Sequence, residues 1–574
     1  MAYQEAFANS TVLIDEIGLG NAHMIWALGL YMEKADLQAL ASEGLTDGSN
    51  DKKIDFIYLD RDEKKLIFAQ GFYAIKVRDE APANKASDLN TASAWLFSGD
   101  VSDVPENLRG VINDFRKALD SGEIESIDLL YIHNLHESRH VAKELQTVAA
   151  HVRTALGIDR EITVNARELG NNLIQQLYAS QESHIEVKDI ILCPSKALIK
   201  QSGPNWEAVV LSVPGEWLHK LYDEHDQYLF SANYRGFLGI SKRRKINTAI
   251  KESAENAEQD FWVYNNGITL LTLNIEHLKN GTQLTGVSVI NGAQTTGSIG
   301  SVDKEKHDLR GVQVLCRIIR CDDPLKVSNI VKFNNTQNGI TTWDQYSGDV
   351  EQKRIEKEFS DLGHFYSRKR GFRTINTSEQ IGIEDVIQPL VAFRGQYGSA
   401  NAGKNSIFER NPLYKSAFEN IKARHILFVY SLARAIDERR IFLKKKSSEG
   451  TLLALEEAHL KLLRNLRFKN FLLALLAQVL EPVVGWRVDV NAVAFSPVAA
   501  KESEHMLSEL VHLCVPVIND VLTFVSTQIT ADDLNEYVQR DDALSSLSSK
   551  VVALLYASGA QTKFADFSKL VSPS

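Results

Sequence analysis

Cysteine is scarce in this chain of 574 residues: Cys193, Cys316, Cys321 and Cys514 are scattered, and the Cys316-x4-Cys321 pair has no second half. A disulfide scaffold and a structural zinc site are thereby argued against, and a reducing cytoplasm is expected. No uninterrupted apolar run approaches the ~18 residues that span a bilayer, so no membrane association is expected. The N-terminal stretch MAYQEAFANSTVLIDEIG is acidic and lacks the basic start of a secretory signal. There is no G-x4-G-K-S/T string, so no P-loop ATPase is indicated, and no G-x-S-x-G. Internal repeats and low-complexity tracts are missing too. Positive charge is in deficit: the net charge is −10 and the sequence pI 5.9. That excludes a globally basic nucleic-acid binder but leaves room for a local basic patch.

What is present is an ordinary soluble composition, 44% hydrophobic and 24% charged, long enough for several domains. Apolar spacing predicts helix over 1–48. IDFIYLD (54–60) and LIFAQGFYAIKV (66–77) read as a hairpin around RDEKK. Residues 88–120 read as helical, SIDLLYIHNL (126–135) as a buried strand, and 142–157 as an amphipathic helix ending at Gly157. Residues 158–225 hold short strands and read as a bridging α/β subdomain. Strands VSVI (287–290) and VQVLCRII (312–319) lie within a mixed α/β core over 226–404, and 405–574 is mainly helical, with KKKSSEG (444–450) as its best loop candidate.

Three polar clusters stand out on apolar segments: FWVYNNGITLL (261–271), SVINGAQTTGSIG (288–300) and VKFNNTQNGI (331–340). They place Asn265, Asn266, Asn291, Gln294, Asn334, Asn335, Gln337 and Asn338 where strands or helices end, and amides there are costly unless each finds a partner. Each turn alone has a plain explanation: Asn291, Thr295 and Thr296 as caps of their own helix, or Asn-Gly as a hairpin turn. Three such turns within about eighty residues point to one shared polar pocket, with the start of the helix after Asn291-Gly292 receiving phosphate or carboxylate. The pocket has no evident nucleophile and no metal-ligand set. Two segments add cations. FYSRKRGFR (365–373) sets Arg368, Lys369, Arg370 and Arg373 beside Phe365, Tyr366 and Phe372, a pattern suited to phosphate and base contacts; taken alone, such a charge run is more commonly a solvated basic strand. SKRRKIN (241–247) is likewise either solvated or phosphate-facing. HNLHESRH (133–140) brings His133, His136 and His140 near Glu137, but it follows a strand end and reads as a solvated loop rather than a metal site.

LFSANYRGFLG (229–239, with Asn233 and Arg235), KINTAI, FWVYNNGITLL, SVINGAQTTGSI, FNNTQNGI and FYSRKRG, in that order, resemble the AIPR family (abortive infection, phage resistance) over about 226–375, and SIFERNPLY (406–414) resembles its continuation. The resemblance implies a bacterial role in defence against phage without fixing a reaction. A weaker, fold-level likeness links NGAQT (291–295) to the polar turn of DGQHR and ParB-type domains, which helps bind nucleotide or nucleic acid.

SNDKKIDFIYLDRDEKKLIFAQGFY (49–73) resembles the core of a Mrr-like PD-(D/E)XK nuclease domain, giving a restriction-endonuclease-like expectation for 1–157. That resemblance implies Asp55 as the Mg2+-holding acid and Gln70 as the second position; Phe72 stands where the lysine is required. An apolar Phe polarises no phosphate, so the domain reads as degenerate. Lys76 falls on the same strand face as Gln70 but ~13 Å beyond Phe72 at ~3.3 Å per residue, and Glu5 or Glu16 remain as further ligands. The function expected is antiphage defence through a pocket that binds nucleotide or nucleic acid. The alternatives are an active Mg2+-dependent nuclease, or a non-enzymatic sensor or scaffold for a phage component. A homo-oligomer is also expected.

Overall fold

Two compact units divide the chain: Met1–Asn171 with Thr341–Ser574, and Asn172–Ile340. The structure is a computed structural model that describes residues 3–46, 53–76, 80–97, 99–100, 104–157, 162–182, 185, 187–225, 229–230, 244–304, 306–335, 349–368, 380–530 and 534–573. The N-terminal and central regions are mixed α/β, and the C-terminal part is mostly helical.

In the first unit, helices Tyr3–Ala8, Thr11–Ile17, Leu19–Met32 and Leu37–Gly44 precede a four-stranded sheet. Its order is β1 (Phe56–Asp60), β2 (Lys65–Phe72), β3 (Ser126–His133), β4 (Thr163–Leu169), with β1/β2 antiparallel and the other pairs parallel. Every residue of β3 is buried, as expected of a strand covered on both faces. Leu66, Phe68, Ile127, Leu129 and Tyr131 pack against helices Ala83–Phe97 and Arg139–Leu156. Helix Leu19–Met32 packs on the same two strands, and a Cβ added at Gly71 would lie 3.1 Å from Met24 Sδ. Strand alternation therefore gives an α/β/α sandwich. Ser138 caps the Arg139–Leu156 helix through Val141 N, and Gly157, at φ 84°, ends it.

β2 stops at Phe72, five residues short of the expected strand. The cause is Asn134, whose amide clamps Ala74: Ala74 N donates to Asn134 Oδ1 at 2.8 Å, and Asn134 Nδ2 donates to Ala74 O at 3.0 Å. A backbone held by a side chain on both its polar groups is withdrawn from the ladder.

The helical half of this unit is centred on Ala423–Glu449, surrounded by Ile383–Phe393, Phe468–Val479 and Leu507–Ser526 around one apolar core. Leu37–Gly44 packs directly on Ala423–Glu449. KKKSSEG is not a loop: the helix runs through Glu449 and turns only at Gly450, φ 68°, because Lys444 and Lys446 find acceptors without leaving it. By length and composition Leu507–Ser526 is apolar enough to cross a membrane; its Leu510, Cys514, Val517, Ile518, Val521 and Leu522 pack into the helical core.

The second unit is a six-stranded sheet ordered β5 (Val187–Cys193), β9 (Gly281–Asn291), β8 (Ile268–Leu278), β10 (Gln313–Cys321), β7 (Trp206–Pro214), β6 (Ile199–Gly203). Only β8/β10 is parallel. The expected bridging subdomain does not exist as such: β4 completes the first unit's sheet, whereas β5, β6 and β7 complete this one, since unpaired strand edges are satisfied only within a ladder. Helices Gly215–His225 and Ala293–Gly300 cover one face, meeting Val209, Leu270, Val289 and Ile318. Helix Pro324–Asn335 covers the other through Val327, Ile330 and Val331 on Leu271, Ile290 and Ile319.

Candidate functional site

Within the second unit one residue from each amide segment, Thr269, Asn291 and Asn334, comes together with Arg317 of β10. Asn291 ends β9 opposite Thr269 of β8, and Thr269 lies in register with Arg317 of β10. Asn291 Nδ2 donates to the carbonyl of Asn334 at 2.5 Å. Arg317 Nη2 donates both to Thr269 Oγ1, at 3.3 Å, and to Asn334 Oδ1. Asn334 Nδ2 in turn donates to Ile330 O at 2.7 Å. Gly267 (φ 76°) and Gly292 (φ 88°) make the close approach possible: a Cβ at Gly292 would sit 2.7 Å from Gly267 O, and one at Gly267 would strike Leu315 O. Any side chain there would drive the two turns apart.

Helix Ala293–Gly300 begins at that junction with Gly292 in the left-handed conformation and no side-chain cap. The expected capping by Asn291 is therefore not what its side chain does. Thr296 Oγ1 donates back to Gly292 O at 3.1 Å, Thr295 is buried, and Gln294 is half-buried. The first-turn N–H groups at this end carry the partial positive charge of a helix start.

Other expected residues lie elsewhere. Asn265 ends the short helix Phe261–Tyr264, its amide donating to Phe261 O at 3.1 Å and Ser253 Oγ at 3.2 Å. VYNNGI is therefore a helix-to-strand junction, not a hairpin turn. Asn266 is exposed. Arg368 belongs to the first unit, where it pairs with Glu356 at 2.8 Å. Asn335 ends helix Pro324–Asn335, its side chain outside the description, and Asn233, Arg235, Gln337, Asn338, Lys369, Arg370 and Arg373 lie outside the described residues. Of SKRRKIN, 241–243 lie outside them also, and Arg244 starts helix Arg244–Asn256.

In the first unit, Asp55 directly precedes β1, and its Oδ2 accepts from Gln70 Nε2 at 2.6 Å and Gly71 N at 2.8 Å. Gln70 is 4% exposed, and its Oε1 has no partner. A hollow of about 200 Å3 is lined by Asn21, Thr46, Asp55, Lys444, Lys445 and Ser448. Phe72 packs against the strand-covering helices. Lys76 is exposed, four residues past the end of β2, so the expected common strand face is lost. Glu5 is exposed. Glu16 accepts from Gln38 Nε2 at 3.0 and 3.1 Å, and its pKa is raised, first by burial.

The histidine segment is not a solvated loop at its first position. His133 ends β3, fully buried, with Nε2 2.9 Å from Glu168 Oε1. Among the described residues no three His, Cys, Asp or Glu side chains form a metal-holding group. Sequence reasoning missed Arg317 and Thr269. The signal was available: an arginine in VQVLCRII alternates onto the face opposite the buried Val314, Cys316 and Ile318.

The model of the family described as AIPR protein matches residues 230–487, under half of the chain. No curated protein and no solved structure matches. The match runs from the second unit into the first and takes in the Ala423–Glu449 helix, but not the four-stranded sheet.

Proposed function

We propose, taking the AIPR region as premise, that this is an antiphage-defence protein whose central unit binds a nucleotide or nucleic acid by its phosphate. The family match carries antiphage defence at the family level. The ligand reading rests on one observation: Asn291, Asn334, Arg317 and Thr269 form a connected network beside a helix start with no side-chain cap. Arg317 is exposed at the sheet surface, so its guanidinium is available to an oxyanion at modest desolvation cost. Neutral amides orient the ligand and the helix start receives its charge. The test is a titration of full-length protein with ATP, GTP and labelled single-stranded DNA and RNA. Wild type binds at least one of these, and Arg317→Ala weakens it roughly 10- to 100-fold, the worth of a hydrogen bond to a charged group. A wild type that binds none of them overturns the proposal and leaves the sensor or scaffold reading, with a phage component or a second copy of the chain as partner.

A second reading, a Mg2+-dependent nuclease in the first unit, rests on the unpartnered Gln70 Oε1 near Asp55; Gln70 faces Asp55 with its amide nitrogen, so the amide has to turn over for both oxygens to meet one cation. A carboxylate and an amide oxygen fit a hard cation that keeps several waters, and they are the residues that would hold it. A bound Mg2+ would polarise a phosphate and activate water. Phe72 supplies no cation there. Incubating the protein with plasmid and RNA in Mg2+ or Mn2+ decides the matter: this reading expects cleavage that Asp55→Ala abolishes, and intact substrate in the wild type refutes it.

A further inference from the structure

Three helices of the first unit leave a groove of about 1020 Å3 between them. From His425 to Asp437 every residue of Ala423–Glu449 is buried; beyond that the helix lends the groove Glu438, Ile441, Phe442 and Lys445, positions i, i+3, i+4 and i+7 of one face. Leu507–Ser526 adds Ser508, Glu509, His512 and Leu513, again from one face, and Thr11–Ile17 supplies the third wall with Val12, Asp15 and Glu16. The apolar lining is not sealed: Val12 is 45% exposed and Phe442 48%. Large apolar side chains held open in a concave surface are the usual floor of a docking site.

The walls carry five carboxylates, Asp15, Glu16, Glu438, Glu504 and Glu509, against one lysine, Lys445. Lys445 Nζ donates to the main-chain carbonyl of Asp15 at 3.1 Å, not to a carboxylate. The hydrogen bonds that Glu16 and Glu509 accept come from neutral donors, Gln38 Nε2 and Met506 N. Arg434, whose charge reaches Glu16 and Glu438, holds Asp36 at 2.7 Å. Arg439 and Lys446 lie 5.3 and 5.6 Å from the centre of the Phe442 ring, and both pair with Glu456. The surplus stays negative once these cations are set against their own partners. Burial first, then Glu16, pushes the Glu438 carboxyl up to about 7, as expected where carboxyls crowd without a counter-charge. Among the described residues no three of these side chains could hold a metal ion, so the charge calls for cations spread over a larger partner. We propose that the groove docks a cationic amphipathic helix of a partner protein, its apolar side chains on Val12, Ile441 and Phe442 and its Lys or Arg side chains on the carboxylate walls. The face from Glu438 to Lys445 runs ~10 Å, about two turns, the spacing over which a groove reads the i, i+3, i+4 and i+7 anchors of a helix. The groove belongs wholly to the first unit and owes nothing to the ligand proposed for the second.

Fluorescence anisotropy of the full chain with a labelled, helix-forming leucine–lysine peptide tests the groove. The wild type binds it, and a glycine–lysine peptide of equal charge binds far more weakly. Asp15→Asn with Glu504→Gln, both exposed and so harmless to folding, weakens binding roughly three- to tenfold, and Val12→Ser weakens it as well. Asp303→Asn with Asp308→Asn, an equal change of charge on the second unit, leaves it unchanged. Hydrogen exchange in Thr11–Ile17 slows when the peptide is added. A wild type that ignores the peptide overturns the proposal, as does equal affinity for the glycine–lysine peptide or equal weakening by the second-unit pair. Displacement of the peptide by spermine at equal concentration would make the groove a small-amine site instead, and self-association of the chain abolished by Val12→Ser would give it to a second copy; either result overturns the partner helix.

Discussion

The two units bury polar groups in different currencies. In the first, full charges go inside: Asp128, Arg434, Asp437 and Arg440 are at most 5% exposed. Lys65 reaches Asp128 at 3.1 Å, with Tyr31 and Asn165 on the same carboxylate. Arg434 holds Asp36 at 2.7 Å and also donates to Gln38. In the second unit the buried polar groups among the described residues are hydroxyls, with Gln176 and His219. Thr272 Oγ1 lies 2.6–3.1 Å from three carbonyls, Ser288 donates to Leu229 O, and Thr282 to Ser195 O. Hydroxyls satisfy themselves on nearby backbone at little desolvation cost, whereas ion pairs lose heavily if one partner goes. The charged arrangement joins segments almost 400 residues apart in sequence, Asp36 to Arg434 and Ser42 to Asp437. Long-range register between Leu37–Gly44 and Ala423–Glu449 is therefore set by ions. The second unit, whose ladders already fix register, leaves Arg317 at the surface.

The strongest way to break that comparison is Arg434→Met. It removes the ion-pair partner of Asp36, leaving the neutral donors Ala39 N and Tyr430 Oη, and removes a partner of Gln38; breaking a buried pair costs about 3–5 kcal/mol. Hydrogen exchange should show Leu37–Gly44 losing protection while β8 and β9 keep theirs. Adding Asp36→Leu should restore part of the loss, because two apolar groups replace a buried pair at little cost, less the cap that Asp36 gives Leu37–Gly44 through Ala39 N, worth about 1 kcal/mol. A cost below about 1 kcal/mol for Arg434→Met would mean that the ions are not what fixes the register.

What could be read from the sequence follows the same division. Periodicity gave β1, β3 and the Arg139–Leu156 helix to within about three residues at each end, since these segments are decided by local pattern. The end of β2 was hidden because Asn134, sixty residues away, clamps Ala74. KKKSSEG looked like a loop because its lysines carry no apolar stripe; their acceptors, Ser42, Leu45 and Glu456, are distant in sequence or follow the next turn. In the candidate site, the convergence of Asn291 with Asn334 was foreshadowed by Asn-Gly turns at strand ends. Arg368 was grouped with them because a basic run beside aromatic rings suits phosphate, and it lies in the other unit. Arg317 escaped notice because a single arginine inside an apolar strand resembles an edge residue until the register is known.

A smaller effect separates the units by pH. Burial holds His23 down to about 3, helped by neighbouring His133, and holds His425 down to about 4 against the hydrogen bond to Val493 O. Both are below the unfolded value near 6.5, so the unfolded chain binds more protons as the pH falls. Their contribution is complete above 6.5 and lost from there toward 4. Glu438 works in the opposite sense: burial raises it to about 7, so its contribution is present below about 4.5 and lost as the pH rises through 7. His459, also held down to about 4 by burial, adds a third loss of the same sign between 6.5 and 4.5, set against the gain from Glu438. In the second unit the buried thiols Cys193 and Cys316 are pushed upward by burial, Cys193 to about 11, and stay neutral across this range. Exchange protection, corrected for intrinsic rate, should therefore fall on acidification in Leu19–Met32 and Ala423–Glu449 and hold in β8 and β9. Glu438→Gln should steepen the loss and His425→Gln should flatten it. Parallel loss in both units would show that the buried imidazoles do not govern the acid response and that the contrast between the units stops at their contacts.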